Sequence, residues 1–292
     1  GSLVRSLWRY DIATGERTVL AGPPPASTSE GELSREEELR RERARLRELG
    51  VTGYQFASKS ERQVLLVPGG GRLWVSVDGS EMREIEGSAG AIDPHLSPDG
   101  SQVAFVRDNE LWVLAVSGGA ARKLTSGAEP GIANALAEFI AQEELDRDRG
   151  FWWSPDGTKI AFIRADSRHI PEYAIVHQGK DEVDTEPHRY PFAGQPNAYL
   201  DLAVVDVASD ATTWMDLGPD RDIYVARVGW RPDGALTAQV LSRDQRTLRL
   251  DAFDAAGAPT TLIGEHREPW INLYGDTKFL ADGSIAWLSE DS

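Results

Sequence analysis

The most informative segment of the sequence runs from 153 to 162. It consists of Trp153-Ser154-Pro155-Asp156-Gly157 followed by Thr158-Lys159-Ile160-Ala161-Phe162. Proline presets φ for a turn, aspartate caps the turn with its own side chain, and glycine accepts a positive φ. The apolar alternation after the turn is typical of a half-buried strand. The stretch therefore predicts a tight turn that leads into a strand of a sheet.

This motif recurs along the chain, and a second motif alternates with it. Further copies of the turn and strand lie at 95–105, 230–238 and 281–288. The second motif is a strand, a tight turn and another strand, and its copies start at Leu7, Leu73, Leu111, Leu202 and Leu248. Joined together, the two motifs give four strands per unit, and repeated four-stranded units are the blades of a β-propeller.

The predicted fold class is therefore all-β, a propeller of four-stranded blades. Five blades are recognisable, and a sixth starts at Trp270 and stops after Glu290. An open propeller leaves an unpaired strand edge, which is a stability and aggregation hazard. We therefore expect residues 1–292 to be a partial propeller domain, either a fragment or the ordered part of something longer. Turn and core chemistry accounts for the motif residues, which makes them poor catalytic candidates.

Two predicted helical insertions interrupt the strands, and the first covers residues 34–48. Ser34 with Glu37 forms a capping box, and acidic residues precede basic ones along the helix, in agreement with the helix dipole. The charge of this segment favours a solvated helix. The alternative is a helix that points an arginine into a binding site.

The second predicted helix, residues 133–149, contains the adjacent acids Glu143 and Glu144. Neighbouring helical residues are about 100° apart, so the two side chains do not share a face. Both can still reach one ligand at a helix end, where two carboxylates suit an ammonium group. Acidic pairs are common on surfaces, so the residues alone favour a solvated pair.

Residues 165–198 form a long polar insertion that we interpret as an extended surface arm, flanked by strands at 173–176 and 200–207. The arm contains His169, His177 and His188, but neither an HExxH motif nor an i, i+4 histidine pair. We expect no metal and no other cofactor. A propeller glycosidase or lactonase would need convergent acids or a metal, and no such set is apparent.

Composition excludes several classes of function. The net charge of −16 disfavours nucleic acid as a partner. The 292 residues include no cysteine, which excludes disulfides, thiolate catalysis and cysteine-ligated zinc. No apolar run reaches the length of about 18 residues that a membrane span needs, and no signal peptide is visible. We therefore expect a cytoplasmic protein that does not bind membranes.

Several segments resemble the dipeptidyl peptidase IV branch of the prolyl oligopeptidase family, including bacterial relatives. Residues 142–155 are similar to that family's double-glutamate helix and the blade behind it. Residues 34–54 resemble the arginine-bearing segment of the cytosolic dipeptidyl peptidases eight and nine. The stretches 190–197 and 270–273 also fit, so that the resemblance covers nearly the whole chain.

The resemblance implies roles for individual residues. Glu143 and Glu144 would bind the free α-amine of a peptide, which fixes the cleavage point two residues from the N-terminus. Arg45 would meet the carbonyl of the first peptide bond, with Arg43 and Arg47 as alternatives. The arm would take part in a homodimer.

The resemblance also implies a C-terminal α/β-hydrolase domain that supplies Ser, Asp and His around a G-x-S-x-G motif, and this motif is absent from the chain. We therefore expect no catalytic residue here and no activity of the chain alone. The predicted function is the substrate-gating, N-terminus-recognising propeller of a serine exo-dipeptidase, with Pro or Ala second in the substrate. The alternative is a stand-alone propeller that binds proteins.

Overall fold

A computed structural model of the chain describes residues 4–25, 27, 35–43, 45–177, 184–275, 277–280 and 282–290. The described part consists mainly of short strands in antiparallel sheets. The chain divides into two compact units, residues 1–126 and residues 127–292.

The described residues of the first unit form twelve strands and one helix. They are β1 (Val4–Arg5), β2 (Leu7–Tyr10), β3 (Arg17–Ala21), α1 (Arg35–Arg43), β4 (Leu49–Gly50), β5 (Gln55–Phe56), β6 (Val64–Gly69), β7 (Arg72–Val77), β8 (Arg83–Glu84), β9 (Ile92–Leu96), β10 (Gln102–Arg107), β11 (Glu110–Ala115) and β12 (Arg122–Lys123). Strands β5 to β8 and β9 to β12 form two four-stranded sheets, and β2 pairs with β3. Strands β1 and β4 pair in parallel.

In the second unit, the part that the structure describes contains thirteen strands and one helix. They are β13 (Ile132–Asn134), α2 (Phe139–Glu144), β14 (Phe151–Trp153), β15 (Lys159–Asp166), β16 (Glu172–His177), β17 (Asp184–Arg189), β18 (Tyr199–Asp206), β19 (Thr212–Trp214), β20 (Ile223–Trp230), β21 (Leu236–Ser242), β22 (Thr247–Phe253), β23 (Pro259–His266), β24 (Lys278–Phe279) and β25 (Ile285–Ala286). Strands β13, β14, β15, β18 and β19 form one sheet, and β20 to β23 form another. Strands β16 with β17 and β24 with β25 make two-stranded sheets.

Each unit buries its own apolar core between neighbouring sheets. In the first unit Leu66, Leu73 and Phe105 are fully buried in one cluster. In the second unit Ile163 and Leu202 are fully buried in a cluster that also includes residues of β20 and β21. Burying one such side chain contributes about 1.5–3 kcal/mol, so these clusters are the main source of stability for the blades.

The predicted blade pattern is confirmed at its turns and at its strands. Ser154 Oγ donates a hydrogen bond to Asp156 Oδ1 at 2.6 Å, and the Thr158 amide donates to the same oxygen at 3.1 Å. Gly157 has a φ of 72°, as the turn requires. The five leucine-initiated motifs lie on β2, β7, β11, β18 and β22, which belong to five different sheets, and β24–β25 corresponds to the predicted sixth blade.

The first helix is shorter than predicted. Instead of covering 34–48, α1 is Arg35–Arg43, and Ser34 lies outside the described residues. Arg45 adopts a left-handed φ of 53°. Its amide donates to Glu42 O and the Leu46 amide donates to Arg41 O, both at 2.9 Å. This pair of bonds is a Schellman motif, which ends a helix and makes Arg45 its C′ residue.

The second helix is also shorter than predicted, Phe139–Glu144 rather than 133–149. Residues 132–134 form β13 instead and pair with residues 164–166 of β15. Ala135 then turns the chain with a left-handed φ of 63°, and Asp146 does the same after α2 with a φ of 51°. Sheet hydrogen bonds satisfy the backbone at 132–134, so that helix propensity does not decide its structure.

The predicted arm is an insertion between two paired strands. Asp166, the last residue of β15, lies directly opposite Tyr199, the first residue of β18. Between them β16 pairs with β17 in a hairpin whose residues 178–183 lie outside the described part. The predicted strand 173–176 lies in β16, and the predicted strand 200–207 lies in β18 rather than in the arm's own sheet. No described helix is long and apolar enough to cross a membrane.

Candidate functional site

Glu143 and Glu144 are the last two residues of α2, and both side chains are exposed. Ala141, within the helix, and Leu145, directly after it, are buried. The helix therefore packs its apolar residues against the protein and presents the adjacent carboxylates to solvent. The structure thus places the predicted pair where a ligand can reach it.

Within residues 143–149 the exposed charges are mainly negative, with Arg149 as an exposed cation. Exposed Asp146 and Asp148 follow the two glutamates, and the carbonyl end of α2 adds partial negative charge. Arg147, which lies between the aspartates in sequence, is only 4% exposed and does not contribute a surface charge. An arrangement of this kind attracts a cation, and in particular an ammonium group with its three N–H donors.

Arg147 anchors the segment that carries the pair. Its Nη2 donates to Glu138 Oε2 at 2.7 Å, its Nη1 to Arg149 O at 2.7 Å, and its Nε to Val225 O on β20 at 3.0 Å. No motif in the sequence singles out Arg147 or Glu138. A signal was present only in the run of alternating charges after Glu144, and nothing in that run indicates burial.

A second arginine holds the end of the helix. Arg227 on β20 donates from Nη1 to the carbonyl oxygen of Leu145, the residue after α2. Burial lowers the pKa of the Arg227 guanidinium below its ordinary value, partly offset by the charge of Asp146. Two cationic side chains therefore support the backbone directly after the glutamate pair, which favours one fixed position for it.

An aromatic cluster connects α2 with the base of the arm. The ring of Phe139 lies 5.2 Å from that of Tyr190 and 6.2 Å from that of His188, measured between centroids. Phe192 continues the cluster at 5.1 Å from Tyr190 and 4.4 Å from Tyr173. Edge-to-face contacts of this kind are worth about 0.5–1.5 kcal/mol each beyond area burial. The arm base and the helix therefore pack as one piece.

The predicted arginine lies in the other unit. Arg45 is exposed and follows α1, whereas Arg43 is the last residue of α1 and Arg47 is exposed two residues further on. Arg41 donates to Glu48 O at 2.8 Å and thereby ties the helix to the chain that follows it. The structure brings Glu143 and Glu144 together on one element and places Arg45 on a separate one.

Charged residues also fix the root of the arm. Arg168 pairs with Asp166 at 2.7 Å and with Glu129 at 2.6 Å. Hydrogen bonds from Arg168 lower the pKa of Asp166 to about 2. Arg189 on the returning strand donates to Ile170 O at 2.7 Å.

A pH dependence follows for this root. Because the pKa of Asp166 is lower in the folded chain, its stabilisation is complete above its ordinary value of 3.8 and is lost as the pH falls toward about 2. The pair is partly exposed, so solvent screening limits the effect to about 1 kcal/mol or less. The free energies of unfolding of wild type and Asp166→Asn in urea are expected to differ most at pH 5. The difference is expected to fall to about a third of that value by pH 2.5 and to vanish only below about pH 2. A difference that stays constant over this range would contradict the assignment.

Successive antiparallel sheets, each with strands joined by tight turns, define an all-β protein of the propeller class. Residues 72–292 match the family model described as the dipeptidyl peptidase IV (DPP IV) N-terminal region, and the chain belongs to this family. The resemblance seen in the sequence is thereby confirmed.

Known relatives agree with this assignment. Human dipeptidyl peptidase 8 is 27% identical over 266 residues, which cover 77% of this chain and 29% of the relative. Dipeptidyl aminopeptidase B of Saccharomyces cerevisiae is 24% identical over 63% of this chain and 24% of its own length. The chain therefore spans about a quarter to a third of these curated relatives.

A solved structure shows the same fold. The crystal structure of Porphyromonas gingivalis dipeptidyl peptidase 4 aligns with a TM-score of 0.73 at 22% identity, over 98% of this chain and 40% of that one. A putative dipeptidyl aminopeptidase IV from Bacteroides ovatus aligns with a TM-score of 0.68 at 21% identity, over 95% of this chain and 37% of that one. The predicted all-β propeller class is confirmed.

Proposed function

We propose that the chain is the substrate-gating and N-terminus-recognising part of a serine exo-dipeptidase, which releases dipeptides from the N-termini of peptides. The observation that carries the proposal is the pair of exposed, adjacent carboxylates at the end of a helix whose backbone is fixed. Family membership and the names of the relatives, dipeptidyl peptidase and dipeptidyl aminopeptidase, support the reaction class.

The chemistry of the pair suits a free α-amine. A protonated amine offers three N–H donors, and two carboxylates can accept from it while they neutralise its charge. Each charge-assisted bond is worth about 1.5–3 kcal/mol. A peptide bond inside a chain has no such amine, so the site selects chain ends. Binding the end at a fixed point also sets which bond reaches the nucleophile, which is an entropic contribution to catalysis.

The proposed function also requires a second domain and a second copy of the protein. A C-terminal α/β-hydrolase domain of the same protein would supply Ser, Asp and His, as well as the preference for Pro or Ala in second place. The arm of residues 165–198 would contact a second copy. Exposed Tyr173, Ile175 and Val176 on β16 support the latter proposal, because they form an apolar stretch on an exposed hairpin.

Peptide binding by the chain tests the proposal. The probe is the tripeptide Ala-Pro-Ala with a free N-terminus, and its N-acetylated form is the control, with binding followed by NMR titration. Acetylation is expected to weaken binding by at least about tenfold, which corresponds to about 1.4 kcal/mol. Equal affinity for the two peptides would overturn the proposal and favour the alternative, a propeller that binds proteins without reading their N-terminus.

Arg45 is proposed to donate to the carbonyl oxygen of the first peptide bond. The resemblance of residues 34–54 to the arginine-bearing segment of the cytosolic dipeptidyl peptidases supports this proposal. Arg45→Gly is the sharpest variant, because glycine favours this helix-ending position and the change removes only the side chain.

The expected result for Arg45→Gly is a loss of about tenfold in affinity for Ala-Pro-Ala, since a charged donor to a carbonyl contributes about 1.5 kcal/mol. The measurement is the same titration. Arg47→Ala is the matched control, with the same loss of charge two residues further on, and its affinity is expected to stay within about twofold. A loss confined to Arg47→Ala or to Arg43→Ala would assign the contact to that arginine instead.

A further inference from the structure

Glu138 and Arg147 form an almost completely buried ion pair that brackets α2. Their side chains are 11% and 4% exposed, and Nη2 lies 2.7 Å from Oε2. A buried ion pair is weak evidence for stability, because desolvation costs as much as the attraction gains. We propose that Glu138 and Arg147 are positioning residues that hold Glu143 and Glu144 in the geometry required to bind an amine. This inference rests on the proposed function of the glutamate pair.

The hydrogen bonds of Arg147 point in three different directions. One guanidinium contacts Glu138 before α2, the carbonyl of Arg149 after it, and the carbonyl of Val225 on β20. The planar guanidinium fixes these three directions relative to one another. The guanidinium therefore joins both flanks of α2 to the neighbouring strand. A lysine could not make the same three hydrogen bonds.

Helix α2 is too short to be stable without tertiary contacts. α2 has only six residues, and isolated helices shorter than about 12 residues are marginal in water. Glu138 stands at the N-cap position of α2 but makes no capping hydrogen bond with its side chain. Its carboxylate binds Arg147 instead, so the position of the helix depends on this tertiary contact.

The acidic residues on either side of α2 differ in their exposure to solvent. Glu143 and Glu144 are exposed, whereas Glu138, five and six residues earlier, is mostly buried against Arg147. Because Glu138 compensates the charge of Arg147, the guanidinium is held inside the protein. The surface at the end of α2 therefore keeps its negative charge for a cationic ligand.

The test compares Glu138→Gln with a matched control. Glutamine keeps the shape of Glu138 and one acceptor but removes the charge. Asp251→Asn makes the same change at another buried carboxylate of the same unit, where Asp251 is 1% exposed and lies 3.0 Å from the partly exposed Arg249. Arg147→Lys is a second variant, which keeps the charge and loses the fixed fork of donors.

Two measurements follow each variant. Amide hydrogen exchange at residues 139–148 is expected to rise about tenfold in Glu138→Gln and in Arg147→Lys, because local opening of α2 becomes easier. Affinity for Ala-Pro-Ala is expected to fall by about fivefold or more in both variants. In Asp251→Asn, exchange in this segment and affinity are expected to stay within about twofold, although the urea midpoint falls.

Unchanged exchange at 139–148 in Glu138→Gln would overturn the positioning role, as would an equal response to Asp251→Asn. The two levels of the proposal fail differently. If neutralising Glu143 and Glu144 leaves the preference for a free amine intact, the amine site itself is wrong. If that preference is lost while Glu138→Gln behaves as wild type in both measurements, only the positioning role is wrong.

Discussion

Neutralising both glutamates, Glu143→Gln with Glu144→Gln, is expected to remove the preference for a free peptide N-terminus over an acetylated one. Glutamine preserves size, helix propensity and one acceptor, so the change is essentially electrostatic. A bond to a charged group is worth about 1.5–3 kcal/mol and a neutral one about 0.5–1.5 kcal/mol. The double variant therefore loses about 2 kcal/mol, or about 30-fold in affinity for Ala-Pro-Ala.

Stability is expected to change little in this variant. Both side chains are exposed, and surface substitutions away from special features stay within about 0.5 kcal/mol. The measurement is NMR titration of both peptides, together with urea unfolding to verify the fold. The single variants are expected to lose about fivefold each. A wild-type ratio of the two affinities in the double variant would contradict the assignment.

Asp148→Asn is the control that distinguishes direct contacts of the glutamate pair with the amine from general attraction by the acidic surface. It removes the same charge four residues after Glu144, at another exposed position. Direct contacts to the amine predict a change of less than about twofold, because exposed charges beyond contact distance are largely screened. A loss equal to that of the glutamate variants would indicate general attraction by the acidic surface instead.

The blades could be predicted from sequence because the interactions that define them are local. Ser154, Asp156 and Thr158 make their turn contacts within a few residues of one another, and Gly157 provides the positive φ. All of these residues lie within five consecutive positions of the sequence. Turn chemistry and strand alternation therefore agree, and such agreement between levels is what specifies a fold.

The ends of the helices could not be predicted, since a contact with a distant strand decides one of them and an unusual backbone conformation decides the other. Residues 132–134 are helix-compatible in isolation but pair with residues 164–166, about thirty residues later. The end of α1 depends on the left-handed conformation of Arg45, a position where glycine is the usual choice. In both cases a contact or a backbone geometry overrides propensity, which is a weak prior.

The candidate site divides in the same way. Charge and helix geometry alone indicate that Glu143 and Glu144 are a common surface pair. Only the family resemblance predicts that they bind an amine. The supports of the site were invisible in sequence, because Arg147 reaches Val225 across 78 positions. Burial of a charged residue between two exposed aspartates contradicts the usual preference of charged residues for the surface, so no local pattern could have indicated it.

Gly150→Ala is expected to destabilise the second unit by about 3 kcal/mol, near the upper end of the usual cost of overpacking. Gly150 lies between α2 and β14, and its backbone carbonyl accepts a hydrogen bond from the Ile163 amide at 2.9 Å. A Cβ added here would overlap the carbonyl carbon and oxygen of Ala135 and would lie 2.6 Å from the carbonyl carbon of Leu136. These are backbone atoms, so no side-chain rotation relieves the overlap.

Gly229→Ala is the matched control for this substitution. Gly229 lies on β20 of the same unit, and an added Cβ there would meet nothing within 4 Å. At a position without a clash, Gly→Ala usually stabilises by about 0.4–1 kcal/mol, because it restricts the unfolded chain. The measurement is the free energy of unfolding in urea, followed by tryptophan fluorescence. Equal stability of Gly150→Ala and Gly229→Ala would contradict the predicted clash.

Peptide binding by Gly150→Ala connects this packing to function. Residues 135 and 136 precede α2, and Gly150 follows it, so the overlap forces the two flanks of the helix apart. At urea-free conditions where the variant remains folded, affinity for Ala-Pro-Ala is expected to fall by about tenfold or more, because small displacements of a positioned group are costly. Wild-type affinity in a folded Gly150→Ala variant would show that the carboxylates tolerate movement of their support.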